Sequence, residues 1–545
     1  MTTPIASSGR PNAGPALLVL AGILLFALLL RTQRIEEVTL TFDEACSWKI
    51  SGFPWSEMLD AISRDAHPPV FYAVLKGWGA IAGEAPAAMR SLTVGLGLAT
   101  IVAAYVFVLA AGRWATTDSS AAAQQAGVPG RVTAAALLAA LLVAISGLHV
   151  DMSLQARPYT LGTLLALMSA TCLLRALHPS GRARDWAAFA LTAGLLSLTH
   201  YYCLWTMGAE FLFAGGVLLA SLARTRWSAE TRRLALGMAG AVWGVQSVWS
   251  LWLPVFLDQR ARSTQQLWMR PLTAEQFTSS IGQALGGGRL VAPPEWALAA
   301  VATWAGAALG LLAFGGRGAR LAALCALVPP VAVIAYALLV RNILGTQYLI
   351  FGQLFVLIGL AWLATAPRRV ALRVALAVAV CLWFGQGALQ HAEARERLAL
   401  ATGLQTLVQR LELQRRPGEP VVVGSPFVHP LVQHYSRDRT EILSRYYGRH
   451  EQDLLGGPPL RRSEFENLDR AWDGAAERVW TVDVYDLFGA GSRFEAHAPG
   501  GWACVSEETF REASGLECVL VLREHQRRPS AMTGQSAPTN PATAP

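Results

Sequence analysis

Lysine is almost missing from this chain. Of 545 residues, 45 are Lys or Arg, and Lys49 and Lys76 are the two lysines. Charge of either sign is scarce, at 15%, against roughly 25% in a typical soluble domain. A soluble protein of this length would need far more polar surface to coat its core. The seven cysteines are scattered, with no CxxC and no zinc spacing, which excludes a disulfide scaffold. There is no P-loop, no GxGxxG in a βαβ context and no GxSxG. ATP-driven transport and serine hydrolysis lose support accordingly.

What the chain has instead is apolar length. Hydrophobic residues make up 53% and mean hydropathy is +0.36, the composition of a polytopic membrane protein. The net charge of +8 would raise nucleic acid as a partner in a soluble protein. Here the arginines fall in short loops between apolar runs, so no nucleic-acid partner is expected. Arginine in place of lysine, with abundant Ala and Leu, points to a GC-rich bacterial coding sequence.

Eleven apolar runs lie between Gly14 and Gln390, from 14–30 to 371–390. Each is about long enough to cross the hydrocarbon, with 186–200 the shortest. Alternate loops differ in charge: 15 Arg in about 68 residues of one set, against 11 basic residues in about 109 of the other. The first set is assigned to the cytoplasm. That puts the N-terminus inside and everything after Gln390 outside. The long outer loop 31–85 holds two amphipathic stretches, 55–64 and 68–82, read as helices in the membrane interface. From residue 391 the composition changes, and alternating apolar strands appear at 421–423, 478–484 and 518–522. The expected fold is thus an α-helical polytopic membrane module over 1–390, a small extracytoplasmic α/β domain over 391–525 and a disordered tail over 526–545. Cys504 and Cys518 in the outer domain are either a disulfide or two buried free thiols.

The outer loop concentrates reactive groups: Asp43, Glu44, Lys49, Asp65, His67 and Lys76. A lone acidic pair such as Asp43-Glu44 is more often a solvated loop than a site; its neighbours raise the interest. Asp65-Ala-His67-Pro68-Pro69 sets an acid, an imidazole and two prolines before an interfacial helix, and His67 fits helix-start architecture as well as it fits chemistry. Arg157-Pro158-Tyr159 opens the fourth run. Arginine at a helix start opposes the dipole and needs an anion, a protein carboxylate or a ligand phosphate, unless it snorkels to the interface. Thr199-His200-Tyr201-Tyr202 forms a turn where interfacial aromatics are ordinary. Arg341 precedes Gln347-Tyr348-Leu349, and Glu210 is an acid inside a span.

In this order, Leu40-Thr-Phe-Asp43-Glu44, Asp65-Ala-His67-Pro68-Pro69-Val-Phe-Tyr72, Met89-Arg90, Ala156-Arg157-Pro158-Tyr159 and Thr199-His200-Tyr201 resemble the GT-C integral-membrane glycosyltransferases. The likeness is to the branch of protein O-mannosyltransferases and lipid A aminoarabinose transferases, over residues 14–390. The resemblance implies transfer of one sugar from a polyprenyl-phosphate carrier, at the outer face of the bacterial plasma membrane, with inversion. It matches the family's first-loop acid to Asp43, with Glu44 beside it. The His-Pro-Pro segment matches His67, and the arginine-tyrosine pair matches Arg157 and Tyr159. Two departures stand out: Gln155 replaces an acid common in relatives, and Gln347 replaces an arginine, leaving Arg341 six residues earlier.

The residues then divide by role. Asp43 and Glu44 are the candidate catalytic carboxylates, with Asp43 the preferred base. Arg157, Lys76, Arg341 and Lys49 are the candidate cations for the donor phosphate. Asp65, His67, Tyr159, His200 and Tyr201 would position substrate. A divalent metal ion is open, with Asp43, Glu44 or His67 as ligands, but the spacing does not demand one. The acceptor could be a lipid, a glycan or a protein. The competing class is a polytopic transporter or glycolipid flippase. Transporters place binding groups near the midplane and often carry internal repeats; here the ionisable residues gather at one face and no repeat is visible.

Overall fold

The structure is a computed structural model. It describes residues 13–117, 128–263, 272–286, 294–445, 457–466, 468–474, 476–487, 491–514 and 516–528. Most of the tail expected to be disordered lies outside the described residues. The chain divides into two compact units: Met1–Ile35 with Pro54–Arg395, and Glu36–Phe53 with Glu396–Pro545.

In the first unit every apolar run is helical, because a backbone in hydrocarbon must satisfy its N–H and C=O groups internally. The chain begins with α1 (Ala13–Thr32); α2 (Phe42–Gly52) belongs to the second unit. The short helices α3 (Trp55–Arg64) and α4 (Val70–Ala82) follow, close to the stretches expected. The rest of the unit is α5 (Pro86–Thr117), α6 (Val128–Ile145), α7 (Gly147–Ser153), α8 (Tyr159–Leu177), α9 (Ala183–Ser197), α10 (Cys203–Thr225), α11 (Ala229–Ser263), α12 (Ala274–Gly286), α13 (Pro294–Phe314), α14 (Arg317–Leu339), α15 (Ile350–Thr365) and α16 (Val370–Ala399).

Among the described residues, eight helices are long and apolar enough to cross a membrane, or nine if the bent pair α6–α7 is one span. The two remaining expected spans are short helices. α9 has 15 residues, about 22 Å of helix, and the apolar part of α13 is Leu298–Ala313.

The bend between α6 and α7 is 60°. A break exposes carbonyls that a continuous helix would use. The fully buried Arg31 meets them, donating to Ala144 O at 2.8 Å and Val143 O at 3.2 Å, and to Ser153 Oγ at 3.2 Å. A guanidinium at a helix C-terminus also suits the dipole.

The second unit is built on a mixed sheet of β1 (Val421–Val423), β2 (Ile442–Ser444), β3 (Arg478–Tyr485), β4 (Arg493–Phe494), β5 (Trp502–Glu512) and β6 (Cys518–Arg527). Its order is β2-β1-β3-β6-β5, with β4 paired to β3. β1 runs parallel to β2 and β3, whereas β6 is antiparallel to β3 and β5. Helices α17 (Gly403–Gln414), α18 (His429–Tyr435) and α19 (Leu468–Asp473) complete it. Helix α2 is part of this unit. Leu40 and Ala45 share its core with Leu404, Leu431, Trp480 and Leu520. Trp48 meets His434 edge-on at 4.8 Å, and the Arg439 guanidinium lies over Trp48.

The disulfide alternative does not hold. Cys504 pairs with His525 and Cys518 with Glu512 in the β5–β6 ladder. The cysteines therefore sit near opposite ends of the hairpin, roughly 23 Å apart along the strands at about 3.3 Å per residue, far beyond disulfide reach. Both are free thiols; Cys518 is buried, whereas Cys504 is exposed, against the expectation that both would be buried.

Candidate active site

The turn between α3 and α4 and the starts of α8 and α10 converge on one buried cluster in the first unit. Asp65 ends α3 as its C-cap, and Pro69 begins α4, whose first N–H, at Val70, donates to Leu198 O at 3.0 Å. The short segment between them is thus pinned against the end of α9. It carries His67, whose Nδ1 lies 3.3 Å from Asp65 Oδ2. Tyr72, one turn into α4, donates its hydroxyl to the same Asp65 oxygen. Arg157 precedes Pro158 at the start of α8, and its Nη2 is 3.2 Å from His67 Nε2. Asp65, His67 and Arg157 therefore form one line of contacts.

Burial pushes Asp65 towards its neutral form, but His67, Arg157 and the Tyr72 hydroxyl overcome that and hold it well below the usual carboxylate range. Asp65 is thereby a permanent anion and a weak proton acceptor. His200 packs edge-on against His67, with ring centroids 5.0 Å apart. Burial, and then the charges of His67 and Arg157, push His200 well below the usual histidine range. The His200 ring is neutral as a result. Its Nδ1 accepts from Tyr202 N–H at 3.2 Å, so the proton sits on Nε2. That Nε2 is buried and has no hydrogen-bond partner among the described residues.

Aromatic rings wall the cluster. Tyr159 lies 5.4 Å from the His200 ring, and Tyr202 stacks on Tyr348 at 4.1 Å. Phe351 closes the back, 5.6 Å from His200. The approach depends on Gly162 of α8, where a Cβ would fall 2.7 Å from Phe351 Cε1. Burial raises the Tyr202 hydroxyl well above its ordinary pKa, with the nearby Arg341 charge pulling the other way. Tyr202 also donates to Ile343 O, fixing the segment after Arg341.

The structure distributes the remaining candidates. Tyr201 is tied to α11: its hydroxyl donates to Gln259 and accepts from Trp252 Nε1 at 3.0 Å. Lys76 is half-buried on α4, 5.6 Å from the Trp55 ring centroid. Asp43, Glu44 and Lys49 lie in the second unit. Asp43 is exposed at the start of α2. Glu44 is buried as the acid of a capping box, accepting from Thr41 N at 3.0 Å while Thr41 Oγ1 accepts from its own N–H. Lys49 makes a buried 2.7 Å ion pair with Glu464. Gln433 donates to the other Glu464 oxygen at 2.8 Å.

Several members were missed by the sequence reading. Tyr72, Tyr202 and Tyr348 were visible as interfacial aromatics with nothing to separate them from an ordinary belt. Asp151 was also missed; it accepts from Gln155 at 3.3 Å and pairs with His391 at 3.2 Å. Those two partners are 236 residues apart in the chain, so no local spacing could join them.

Glu44 is committed to its cap, and a cationic guanidinium lies against His67. Among the described residues, no group of three or more His, Cys, Asp or Glu side chains could hold a metal ion.

No protein-family model and no curated protein matches the sequence. The fold does match solved structures. ArnT from Cupriavidus metallidurans in the apo state aligns over 94% of this chain and 98% of its own, with a TM-score of 0.56 and 14% identity. ArnT bound to undecaprenyl phosphate aligns over the same shares, with a TM-score of 0.55 and 15% identity. The Pmt1-Pmt2 protein O-mannosyltransferase complex of S. cerevisiae, bound to the sugar donor, aligns over 52% of this chain and 37% of that one, with a TM-score of 0.34 and 15% identity. The chain is an integral membrane protein whose fold is similar to that of ArnT.

Proposed function

We propose that the chain moves a single sugar from a polyprenyl-phosphate carrier to a hydroxyl acceptor at the outer face of the plasma membrane, with inversion at the anomeric carbon. The observation that carries this reading is the Arg157 cluster. It is a buried cation at the start of α8, beside a neutral histidine with a free N–H donor. An anion with several acceptor oxygens satisfies both. The fold match to an ArnT structure containing undecaprenyl phosphate supports a lipid-linked donor.

In this reading Arg157 neutralises the donor phosphate, with Lys76 and Arg341 as further cations. Asp65 orients His67, and through it Arg157, but takes no proton, because its charge is held too firmly. His200 Nε2–H donates to a substrate oxygen, and Tyr159 shapes the space beside it. We assign the base to Asp43, the exposed carboxylate at the start of α2. It removes the acceptor hydroxyl proton as the acceptor oxygen bonds to the anomeric carbon. The bond from that carbon to the phosphate oxygen breaks on the opposite side. Polyprenyl phosphate leaves with the electron pair, and fixed cations stabilise the charge that develops on it. Lys49 stays with Glu464, since parting a buried pair is strongly unfavourable.

The test is release of polyprenyl phosphate from a polyprenyl-phosphate sugar by the purified chain, with surface glycolipid and glycan extracts as acceptors. Release that depends on acceptor, and falls on Arg157→Ala and Arg157→Lys alike, is expected of a bidentate contact. A chain that moves the intact donor across a vesicle membrane without releasing polyprenyl phosphate would be a flippase.

A further inference from the structure

A cavity of about 390 Å³ opens in the first unit, at the far end of α8 from Arg157. It is lined by Trp114 of α5, Arg175 at the end of α8, His178 in the turn, and Arg182, Arg184 and Asp185 at the start of α9. Helix α8 has 19 residues, about 28 Å of rise and close to the roughly 30 Å of hydrocarbon. The two sites therefore lie at opposite membrane surfaces.

The cavity is rich in unmatched positive charge. Arg317, first residue of α14, stands over the Trp114 ring at 4.6 Å and adds a fourth guanidinium to the neighbourhood. None of Arg175, Arg182, Arg184 and Arg317 makes a salt bridge among the described residues. The single nearby acid, Asp185, is engaged: its Oδ2 accepts from Arg182 N at 2.8 Å and caps α9. His178 adds a further N–H donor. Its Nδ1 accepts from Ser180 N at 3.2 Å, which puts the ring proton on Nε2.

The site is also built rigidly. Arg233 of α11 reaches across and donates to Ala176 O, Gly181 O and His178 O at 3.0, 3.1 and 3.1 Å, holding the turn that carries His178 and Arg182. Gly181 allows the tight fold, since a Cβ there would meet Ala176 O at 2.4 Å. Trp114 is fixed by its Nε1 donating to Leu174 O at 3.0 Å. Guanidinium groups held around a cavity at the ends of spans present the chemistry of a phosphate site at headgroup depth.

We propose that this cavity binds the phosphate of an anionic phospholipid headgroup, in the leaflet opposite the Arg157 cluster. The walls favour a lipid over a soluble phosphate compound. Ala110, Trp114 and Leu174 carry the apolar surface of the spans into the cavity, where the glycerol end of a lipid would rest. A zwitterionic choline headgroup would bring a cation against four arginines and is disfavoured.

The experiment uses the full chain in a neutral detergent. Short-chain phosphatidylglycerol is titrated while the melting temperature is followed, beside short-chain phosphatidylcholine and glycerol 3-phosphate. Saturable stabilisation by phosphatidylglycerol alone is expected, weakening with salt. The exposed pair Arg182→Gln with Arg184→Gln should melt normally without lipid and bind phosphatidylglycerol roughly 30-fold more weakly, from the usual contribution of each arginine near an anionic headgroup. Arg182→Lys with Arg184→Lys should retain most of the affinity. Equal stabilisation by phosphatidylcholine, or unchanged affinity in the Gln pair, would overturn the proposal. Equally tight binding of glycerol 3-phosphate would overturn it in favour of a soluble phosphate ligand.

Discussion

Asp43 and Asp65 are both carboxylates in the stretch between α1 and α5, and their surroundings separate what each can do. Asp65 is half-buried among His67, Arg157 and Tyr72, which hold its charge; Asp43 is exposed at a helix start. Asn in place of Asp43 keeps size and hydrogen bonding but cannot take a proton. Asp43→Asn should therefore slow single-turnover transfer by at least roughly 100-fold at saturating donor, with the melting temperature unchanged. Near-normal transfer would move the base elsewhere. His429 gives a pH prediction in the second unit. Burial, then the Lys49 charge, push it down to about 3, from the usual 6.5, against the opposing pull of Glu464 and of its 2.9 Å bond to Ile442 O. The unfolded chain takes up the proton first. Its contribution is thus fully present above about 6.5 and lost as pH falls towards 3. Between pH 6.5 and 5 the wild type should lose roughly 2 kcal/mol that a His429→Gln chain does not. Parallel acid limbs in chemical denaturation of the two would refute this. Residue placements were legible where a motif carried them, as where His67 meets Arg157. They were hidden where they depended on a remote partner, as when Glu464 claims Lys49.

Among the elements, the broken pair α6–α7 shows a cost and its local remedy. Arg31 supplies donors to two carbonyls and one hydroxyl at the break. Arg31→Leu leaves those groups unsatisfied in an apolar setting and should cost about 2–4 kcal/mol, read as a lower melting temperature in detergent. Arg31→Lys should recover part of the loss. A Leu variant that melts like the wild type would show that another group takes over the carbonyls. The apolar runs were legible because length and hydropathy alone require helices there. Strands β1, β3 and β6 were legible from buried β-branched and aliphatic residues. Strand β5 was not: it lies at a sheet edge and exposes Ser506, Glu507 and Arg511, the charged edge that discourages further pairing. Helix α2 escaped because its capping acid, Glu44, reads in sequence as chemistry.

For the whole molecule, sidedness follows from arginine counts and the parity of crossings. The short helix α9 decides much of that parity. If α9 and α13 both cross, with α6–α7 as one span, a reporter active only outside should work when fused after His525. A silent fusion there, with a cytoplasmic reporter active at the same site, would mean that one of them does not cross. The division into units has another consequence, one of time. Residues 36–53 pack into a fold whose first strand begins at Val421, nearly 370 residues later in the chain. At roughly 5–20 residues per second, a ribosome takes roughly 20–75 s to cover that distance. For that interval Leu40, Ala45 and Trp48 have been made but their partners have not. The early segment must wait, shielded by the membrane surface or by a chaperone, and a chain cut short after the last span would leave it permanently without a fold to join.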